Sequence, residues 1–519
     1  MTPAAHPNKW VITLTVMLGT FMAVLDTSIV NVALPYMRGN LGASVEEITW
    51  VATGYMLSTV CVMPSIAFLS SRFGRKRFYV ACIAVFTATS MLCGLAWDLP
   101  SMVLFRGLQG VGGGALMPIS QAILRETFPP EEQSMAMGIF GLGVTMGPAF
   151  GPTLGGWLTD NFSWPWIFYI NVPVGALNIL LVSRYIHDPP YLVRGRGKID
   201  FLGLALLIVS LPALQVVLEK GQRENWFESP FIIYLTAVSA VALALFVWRE
   251  LTVDNPAVDL RILKNLTFTS ATVISGVLMA GLYGSIFILP LFLQQVLGYP
   301  ALDSGLLLMP RSLAMAVAMP TAGRVYNRVG ARPMISGGLL LLAFAFWLLS
   351  RSSLSVGYWD LFLPQALQGL GFGVIFVALT TASLAKIERA SITTATGVSN
   401  VIRTVFGSVG IALCATIFTR GISTSRALLV ENVSVYSGVT LGWERLLTGA
   451  MASRGADGVT AQALTLRLLD GAVMRQASML AFNQVFEALT ILLLLSFPLI
   501  LLLRVPRQAP APGAGSVAE

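Results

Sequence analysis

The amino-acid sequence predicts an all-α integral membrane protein with fourteen transmembrane helices. Hydrophobic residues make up 55% of the 519 residues and charged residues only 11%, whereas charged residues are roughly 25% of an ordinary soluble domain. The chain contains fourteen apolar runs of the length that crosses a bilayer. The two halves of the chain also resemble one another in sequence, which predicts two six-helix bundles with two inserted helices between them.

Each apolar run is long enough to cross the membrane as a helix, since about twenty residues at about 1.5 Å each span roughly 30 Å. The runs lack the alternating pattern of a membrane barrel. The first run is long and contains a charged residue, so we expect it to be retained rather than removed as a signal peptide. The predicted spans lie near residues 10–35, 47–70, 78–97, 101–125, 134–158, 166–186, 200–219, 230–249, 267–295, 304–323, 333–350, 360–385, 393–419 and 479–503.

The distribution of Lys and Arg predicts that both termini are cytoplasmic. An even number of spans with the N-terminus inside leaves twenty of the 33 basic residues in inner segments and four in the short outer loops. In membrane proteins, the short cytoplasmic loops carry more Lys and Arg than the outer loops. The outer segment 420–478 holds six more, but loops of that length are translocated regardless of their charge.

The composition excludes several other classes of function. The net charge of +8 comes from basic residues that alternate with apolar runs, so no nucleic acid partner is expected. All four cysteines fall inside apolar runs, and no phosphate-binding segment of the form GxxxxGKS or GxxxxGKT occurs. We therefore expect no metal, no cofactor and no enzymatic activity.

The two halves of the chain share an internal repeat. SSRFGRKR (70–77) recurs as YNRVGARP (326–333) at an offset of 256, and LQGVGGG (108–114) recurs as LQGLGFG (367–373) at an offset of 259. Six spans need fewer residues than this, so two further spans separate the repeats. The predicted domains are an N-terminal bundle at 1–190, two inserted helices at 191–265, a C-terminal bundle at 266–503 with an extracytoplasmic loop at 420–478, and a disordered cytoplasmic tail at 504–519.

Several segments resemble those of the major facilitator superfamily. VLDTSIVNVALP (24–35) is similar to the first-span motif of its fourteen-span drug:proton antiporters, and RGLQGVGGGALMP (106–118) to the fourth-span motif. GPAFGPTLGGWL (147–158) is similar to the antiporter motif, and SSRFGRKR to the loop between the second and third spans. Segment 198–230 and the long outer loop further resemble the EmrB-type branch of multidrug exporters.

The resemblance implies a proton-coupled exporter of amphipathic drugs or toxic metabolites that works by alternating access across the bacterial inner membrane. Its implied partners are protons, a small amphipathic substrate and the lipid bilayer, with a periplasmic adaptor and an outer-membrane channel in Gram-negative bacteria. The antiporter motif comprises Gly147, Pro148, Gly151, Pro152, Gly155 and Gly156, and the cytoplasmic loop motif comprises Arg72, Gly74, Arg75 and Lys76.

The cytoplasmic loop departs from the family pattern in both copies. Ser71 and Asn327 stand where the family has Asp. If that Asp normally makes a charge contact that holds helices together in one transport state, both copies here must use another contact as the latch.

The antiporter motif places glycines every four residues on one helical face. Such a stripe lets a neighbouring helix approach closely. Pro148 and Pro152 are expected to break or kink the same helix. Tight packing alone would explain the stripe, whereas the bend favours a gate.

Five charged residues fall inside predicted spans, and each costs about 2.5 to 3.5 kcal/mol at mid-membrane. Two of them, Asp26 and Arg106, carry opposite charges and both lie in the outer half of the membrane. The resemblance implies that they form the proton-coupling site, and a fixed structural ion pair is the alternative. The two histidines lie at cytoplasmic span ends, so a carboxylate must carry the proton. The five residues are Asp26, Arg106, Arg311, Arg403 and Glu487, and the coupling pair is Asp26 with Arg106.

Further polar residues are candidates for the substrate cavity or for gating. These are Asn31, Gln109, Arg403 and Glu487. Glu487 could bind a proton or a cationic substrate, or it could be a solvated residue at the edge of the pore. For Arg403, contacts to backbone carbonyls compete with a gating role.

Two other functions remain open at the level of the sequence. A proton-driven importer or facilitator of a small metabolite would use the same span pattern. A membrane scaffold or sensor on a transporter fold is a third reading, although the chain carries no soluble signalling segment.

Overall fold

The computed structural model describes residues 8–503 except 45–46, 189–199, 254–255, 257, 435 and 456. The expected tail at 504–519 and part of the segment before the inserted helices lie outside the described residues. The described chain consists of helices and connecting turns, with no strand. Fourteen long helices run in chain order as α1 (Lys9–Asn40), α2 (Glu47–Phe73), α3 (Arg75–Gly94), α4 (Leu99–Thr127), α5 (Gln133–Asn161), α6 (Trp166–Tyr185), α7 (Phe201–Lys220), α8 (Pro230–Thr252), α9 (Leu266–Gln295), α10 (Ala301–Val329), α11 (Ala331–Leu349), α12 (Tyr358–Leu384), α13 (Ile392–Glu431) and α14 (Gly458–Leu495).

Thirteen helices within the described residues are long and apolar enough to cross a membrane. The fourteenth long helix, α4, carries buried Arg and Gln side chains within its apolar stretch. All fourteen predicted spans coincide with one of these helices. The prediction of an all-α membrane protein is therefore confirmed.

The internal repeat produces the same sharp turn in both halves. Gly74, between α2 and α3, has φ +85°, and Gly330, between α10 and α11, has φ +89°. Residues with a Cβ rarely adopt this conformation, whereas glycine does so without strain. The offset of 256 that relates the two sequence segments thus relates two equivalent helix junctions.

Each half of the chain buries its own apolar core, and the inserted helices pack across the seam between them. One core joins α9 to α14, and two smaller cores lie within α1 to α6. The side chain of Gln215 on α7 donates to Ser408 Oγ on α13 at 2.8 Å, while Thr53 on α2 donates to Glu219 on α7. Helix α7 therefore contacts both bundles.

The segment expected as an outer loop, 420–478, is largely helical. Helix α13 continues to Glu431, α14 already begins at Gly458, and a third helix, Gly438–Ala452, lies between them. The segment contains no proline, so nothing interrupts the backbone hydrogen bonds where the apolar run ends. An ion pair between Arg426 and Asp470 at 2.8 Å joins the two extensions. Apolar length marks the membrane crossing but not the end of the helix.

Candidate functional site

The carboxylate of Asp26 lies at the centre of the N-terminal bundle and is fully buried. Arg106 on α4 donates from NH1 to Asp26 Oδ2 at 2.6 Å. Gln109, one turn further along α4, donates to Asp26 Oδ1 at 2.9 Å, and Asn171 on α6 donates to the same oxygen at 3.0 Å. Both oxygens of the acid therefore have donors, as a charge removed from solvent requires.

Arg106 is held by contacts to α2 as well as by the acid. Its Nε donates to the carbonyl oxygen of Val51 at 3.1 Å, and its NH1 also donates to Gln109 Oε1 at 2.7 Å. The guanidinium carbon lies 4.4 Å from the ring centre of Tyr55 and 5.8 Å from that of Phe168. A cation over the face of an aromatic ring is stabilised by the ring quadrupole. The pair is thus fixed by α1, α2, α4 and α6 together.

A second layer of hydrogen bonds orients the donors around the acid. Asn171 Nδ2 also donates to Ser90 Oγ on α3 at 3.0 Å, and Ser90 Oγ donates to the carbonyl oxygen of Phe168 at 2.9 Å. Sequence reasoning missed both polar residues. A search for Asn and Ser inside apolar runs would have flagged them, but a serine in a span is too common to identify a site.

The glycine stripe of α5 lies directly against the segment of α1 that carries Asp26. A Cβ added to Gly147 would lie 2.6 Å from Val24 Cγ1 and 3.0 Å from Leu25 N, and one added to Gly151 would lie 2.5 Å from Ser28 Oγ. These glycines let the backbone of α5 approach α1 on either side of the acid.

Other members of the antiporter motif behave differently. Gly155 continues the stripe, because an added Cβ would lie 2.7 Å from Ile29 Cγ1. A Cβ on Gly156 would meet nothing within 4 Å, so this glycine faces away from α1. Pro148 and Pro152 are exposed, and α5 passes through both without interruption. The helix is therefore not broken at either proline, and a kink there stays a prediction.

One residue of the cytoplasmic loop motif contacts the other half of the chain. Arg75 is buried, pairs through NH1 with Glu126 at the end of α4, and donates from NH2 to Thr393 Oγ1 on α13 at 3.0 Å. Lys76 donates from Nζ to the carbonyl oxygen of Ser183 at 2.5 Å. Arg72 lies exposed at the end of α2, and Gly74 supplies the turn described above. Arg75 therefore bridges the two halves without the missing Asp, and its role as a latch stays a prediction.

Further hydrogen bonds close the same end of the seam. Ser134 on α5 donates to the carbonyl oxygen of Gly323 on α10 at 2.8 Å. Asn327 at the end of α10 donates to the carbonyl oxygen of Glu131. Deeper in the seam, Asn400 on α13 donates to Gln121 Oε1 on α4 at 2.9 Å.

The remaining candidates lie apart from Asp26, and of the cavity candidates only Gln109 joins it. Asn31 is exposed on α1, and Glu487 is exposed on α14. Arg403 is buried on α13, where its NH2 donates to Thr380 Oγ1 at 3.3 Å and to Ser275 Oγ at 3.4 Å. The roles in substrate binding or gating stay predictions for all three.

Two helical bundles around buried polar residues, joined at one end of their seam, are the architecture of a polytopic membrane transporter. The chain belongs to the Major Facilitator Superfamily, whose family model matches residues 16–411. It is a multi-pass membrane protein, and the resemblance drawn from the sequence is confirmed.

Curated relatives cover nearly the whole chain. The chain is 32% identical over 498 residues to the fatty acid resistance protein FarB of Neisseria gonorrhoeae, covering 96% of each protein. It is 35% identical over 431 residues to the multidrug export protein EmrB of Haemophilus influenzae, covering 83% of this chain and 84% of that one. It is 31% identical over 508 residues to EmrB of Escherichia coli K12, covering 98% and 97%.

Solved structures show the same fold at low sequence identity. The human organic anion transporter MFSD10 superposes with a TM-score of 0.61 at 15% identity, covering 94% of this chain and 100% of that one. A bacterial homologue of the lysosomal transporter Spinster, in an inward-facing and occupied conformation, gives a TM-score of 0.53 at 17% identity, covering 98% and 100%.

Proposed function

We propose that the protein is a proton-coupled exporter and that Asp26 is the group that carries the proton. The observation that carries this proposal is the fully buried pair of Asp26 and Arg106. While the acid is charged the pair is neutral, but protonation of Asp26 leaves an unpaired cation in the bundle, which is costly away from water. A conformation that admits water to Arg106 offsets that cost, so proton binding and conformation are linked.

The conformational element is the seam between the bundles. Arg75, Ser134 and Asn327 join the bundles at the end that the charge distribution predicts to be cytoplasmic. Release of these contacts would open the space between the bundles to the cytoplasm. Their formation would close that side and allow the space to open to the opposite side. Helices α1 and α5 are in contact beside Asp26 through Gly147. A movement of α5 would therefore displace the segment of α1 that carries the acid.

The transported compounds are proposed to be amphipathic drugs or toxic metabolites, since relatives along the whole chain are named as multidrug and fatty acid resistance proteins. We place the protein in a bacterial inner membrane with both termini cytoplasmic. The helical extensions at 420–478 then project outward, where they offer a surface to a periplasmic adaptor that leads to an outer-membrane channel.

Proteoliposomes test the direction and the coupling together. With a dye substrate and an imposed pH gradient, the wild-type protein is expected to move dye and protons in opposite directions. Asp26→Asn should abolish the coupled flux while the variant still folds. Asp303→Asn, which changes an exposed carboxylate at the start of α10, is the matched control. Cotransport in one direction would favour a proton-driven importer, and normal antiport by Asp26→Asn would refute the assignment of the carrier.

A further inference from the structure

The C-terminal bundle contains a structural counterpart of the Asp26 site. An added Cβ on Gly110 of α4 would collide with the carbonyl oxygen of Tyr55, and one on Gly369 of α12 would collide with that of Arg311. Gly110 and Gly369 are related by the offset of 259, and Tyr55 and Arg311 by that of 256. Arg311 on α10 therefore occupies the position of Tyr55.

The other positions of the counterpart follow from the same repeat. Gln365 occupies the position of Arg106, and Gln368 occupies that of Gln109. On α9 the partner is a hydroxyl instead of an acid, since Ser285 Oγ donates to Gln368 Oε1 at 3.2 Å. Residues 266–295 contain no Asp or Glu. The buried cation of the C-terminal half thus lies on the second helix of the repeat, whereas that of the N-terminal half lies on the fourth. No residue of α9 corresponds to the acid Asp26.

Several polar atoms of this cluster are buried without a hydrogen-bond partner in the described part of the chain. These are NH1 of Arg311, both amide atoms of Gln365, and Nε2 of Gln368. The three side chains are 6%, 0% and 2% exposed. Buried donors are nearly always paired, and a buried cation without an anion is more costly still. The cluster therefore has three free donors, one of them cationic, and a single free acceptor.

We propose that Arg311, Gln365 and Gln368 bind the carboxylate of an amphipathic monoanion, and that such compounds are among the substrates. This inference rests on the proposed export function. A carboxylate offers two oxygens that accept hydrogen bonds from a guanidinium and from amide groups at once. It also supplies the negative charge that no residue of α9 provides.

Binding measured on the purified full-length protein in phosphatidylcholine nanodiscs tests the site without requiring transport. The probes are 1-pyrenebutyrate and its methyl ester, with empty nanodiscs as background. We expect the wild-type protein to prefer the carboxylate. Arg311→Gln should weaken binding of 1-pyrenebutyrate roughly 10- to 100-fold, because a hydrogen-bonded charge pair is lost. Arg311→Lys should restore part of the preference, and the exposed control Arg351→Gln should retain it.

Methyl ester binding shows whether each variant is folded, since the ester needs no cation. Equal loss of both probes in Arg311→Gln, or an unchanged preference for the carboxylate, would overturn the proposal. So would displacement of 1-pyrenebutyrate by chloride but not by gluconate, because the site would then belong to an inorganic anion. If Arg311→Gln loses the carboxylate but still exports a neutral dye, the site is supported; failure of all export in the wild-type protein would instead refute the function.

Discussion

At the scale of single residues, Asp26 is satisfied by three side chains from two other helices. Arg106 supplies the charge, and Gln109 and Asn171 supply neutral donors to the second oxygen. Each donor stabilises the charged acid in a fully buried position. The acid is therefore sensitive to neighbours that carry no charge themselves.

Asn171→Leu should destabilise the protein. The change keeps the approximate size of the side chain but removes one donor to a buried carboxylate, which costs about 1.5 to 3 kcal/mol. We expect a lower midpoint of thermal unfolding in detergent and impaired export. Asn161→Ala, at an exposed position where the side chain bonds only to its own helix, should unfold like the wild type. Equal stability of the two variants would contradict the role of Asn171.

The ring of Tyr55 should matter more than its hydroxyl. Tyr55→Phe retains an aromatic face over Arg106 and is expected to export at a rate near that of the wild type. Tyr55→Leu removes that face, so the Arg106 guanidinium should lose about 2 kcal/mol of stabilisation. The rate of dye efflux in cells that lack their own pumps distinguishes the two. Similar rates for both variants would show that the contact between ring and cation does not support transport.

At the scale of helices, the decisive contact is the one between α1 and α5. Gly147 and Gly151 bring the backbone of α5 against the turns of α1 on either side of Asp26. The stripe itself was predictable from its spacing of four residues. Which helix it faces was not predictable, because spacing along one helix says nothing about its neighbour.

Gly147→Ala should force α5 away from α1. The new methyl group would lie 3.0 Å from the backbone at Leu25, and overpacking of this kind costs typically about 1 to 3 kcal/mol. We expect reduced thermal stability and reduced export. Gly156→Ala adds the same methyl group where nothing lies within 4 Å, so it should change stability by less than about 0.5 kcal/mol. Equal effects of the two substitutions would exclude the close contact as their cause.

At the scale of the whole molecule, the two bundles pack against each other along α5 and α10, and polar contacts join them at one end of the seam. Arg75 is buried, and it contacts Glu126 in its own half and Thr393 in the other half. A contact of this kind has an equilibrium that a substrate or a proton can bias.

Thr393→Val should shift the protein towards the state that is open at this end. The substitution removes the hydrogen bond to Arg75 but leaves the ion pair with Glu126 intact. Loss of one bond to a charged group corresponds to a shift of roughly tenfold in the ratio of the two states. Spin labels at positions 77 and 388, in a background without the natural cysteines, should report a larger population of long distances. Thr321→Val, exposed on α10 and bonded to its own helix, is the control and should leave the distance distribution unchanged.

The sequence by itself determined the membrane class, the positions of the fourteen helices and a short set of charged residues inside them. Apolar length, the repeat and the scarcity of charges are properties of the chain that solvent physics constrains directly, so Asp26 and Arg106 were among five charges that stood out, and the family resemblance selected them as a pair. Only the tertiary structure decided that Asn171 and Ser90 complete the site, because neutral polar residues are common in spans and acquire a role only through their neighbours. It also decided that Arg311 lies where Tyr55 lies in the other half, since equivalence in space depends on how helices meet. The helices between the last two apolar runs, at 420–478, could not be predicted for a related reason: hydrophobicity marks where the membrane ends, whereas backbone hydrogen bonds mark where a helix ends.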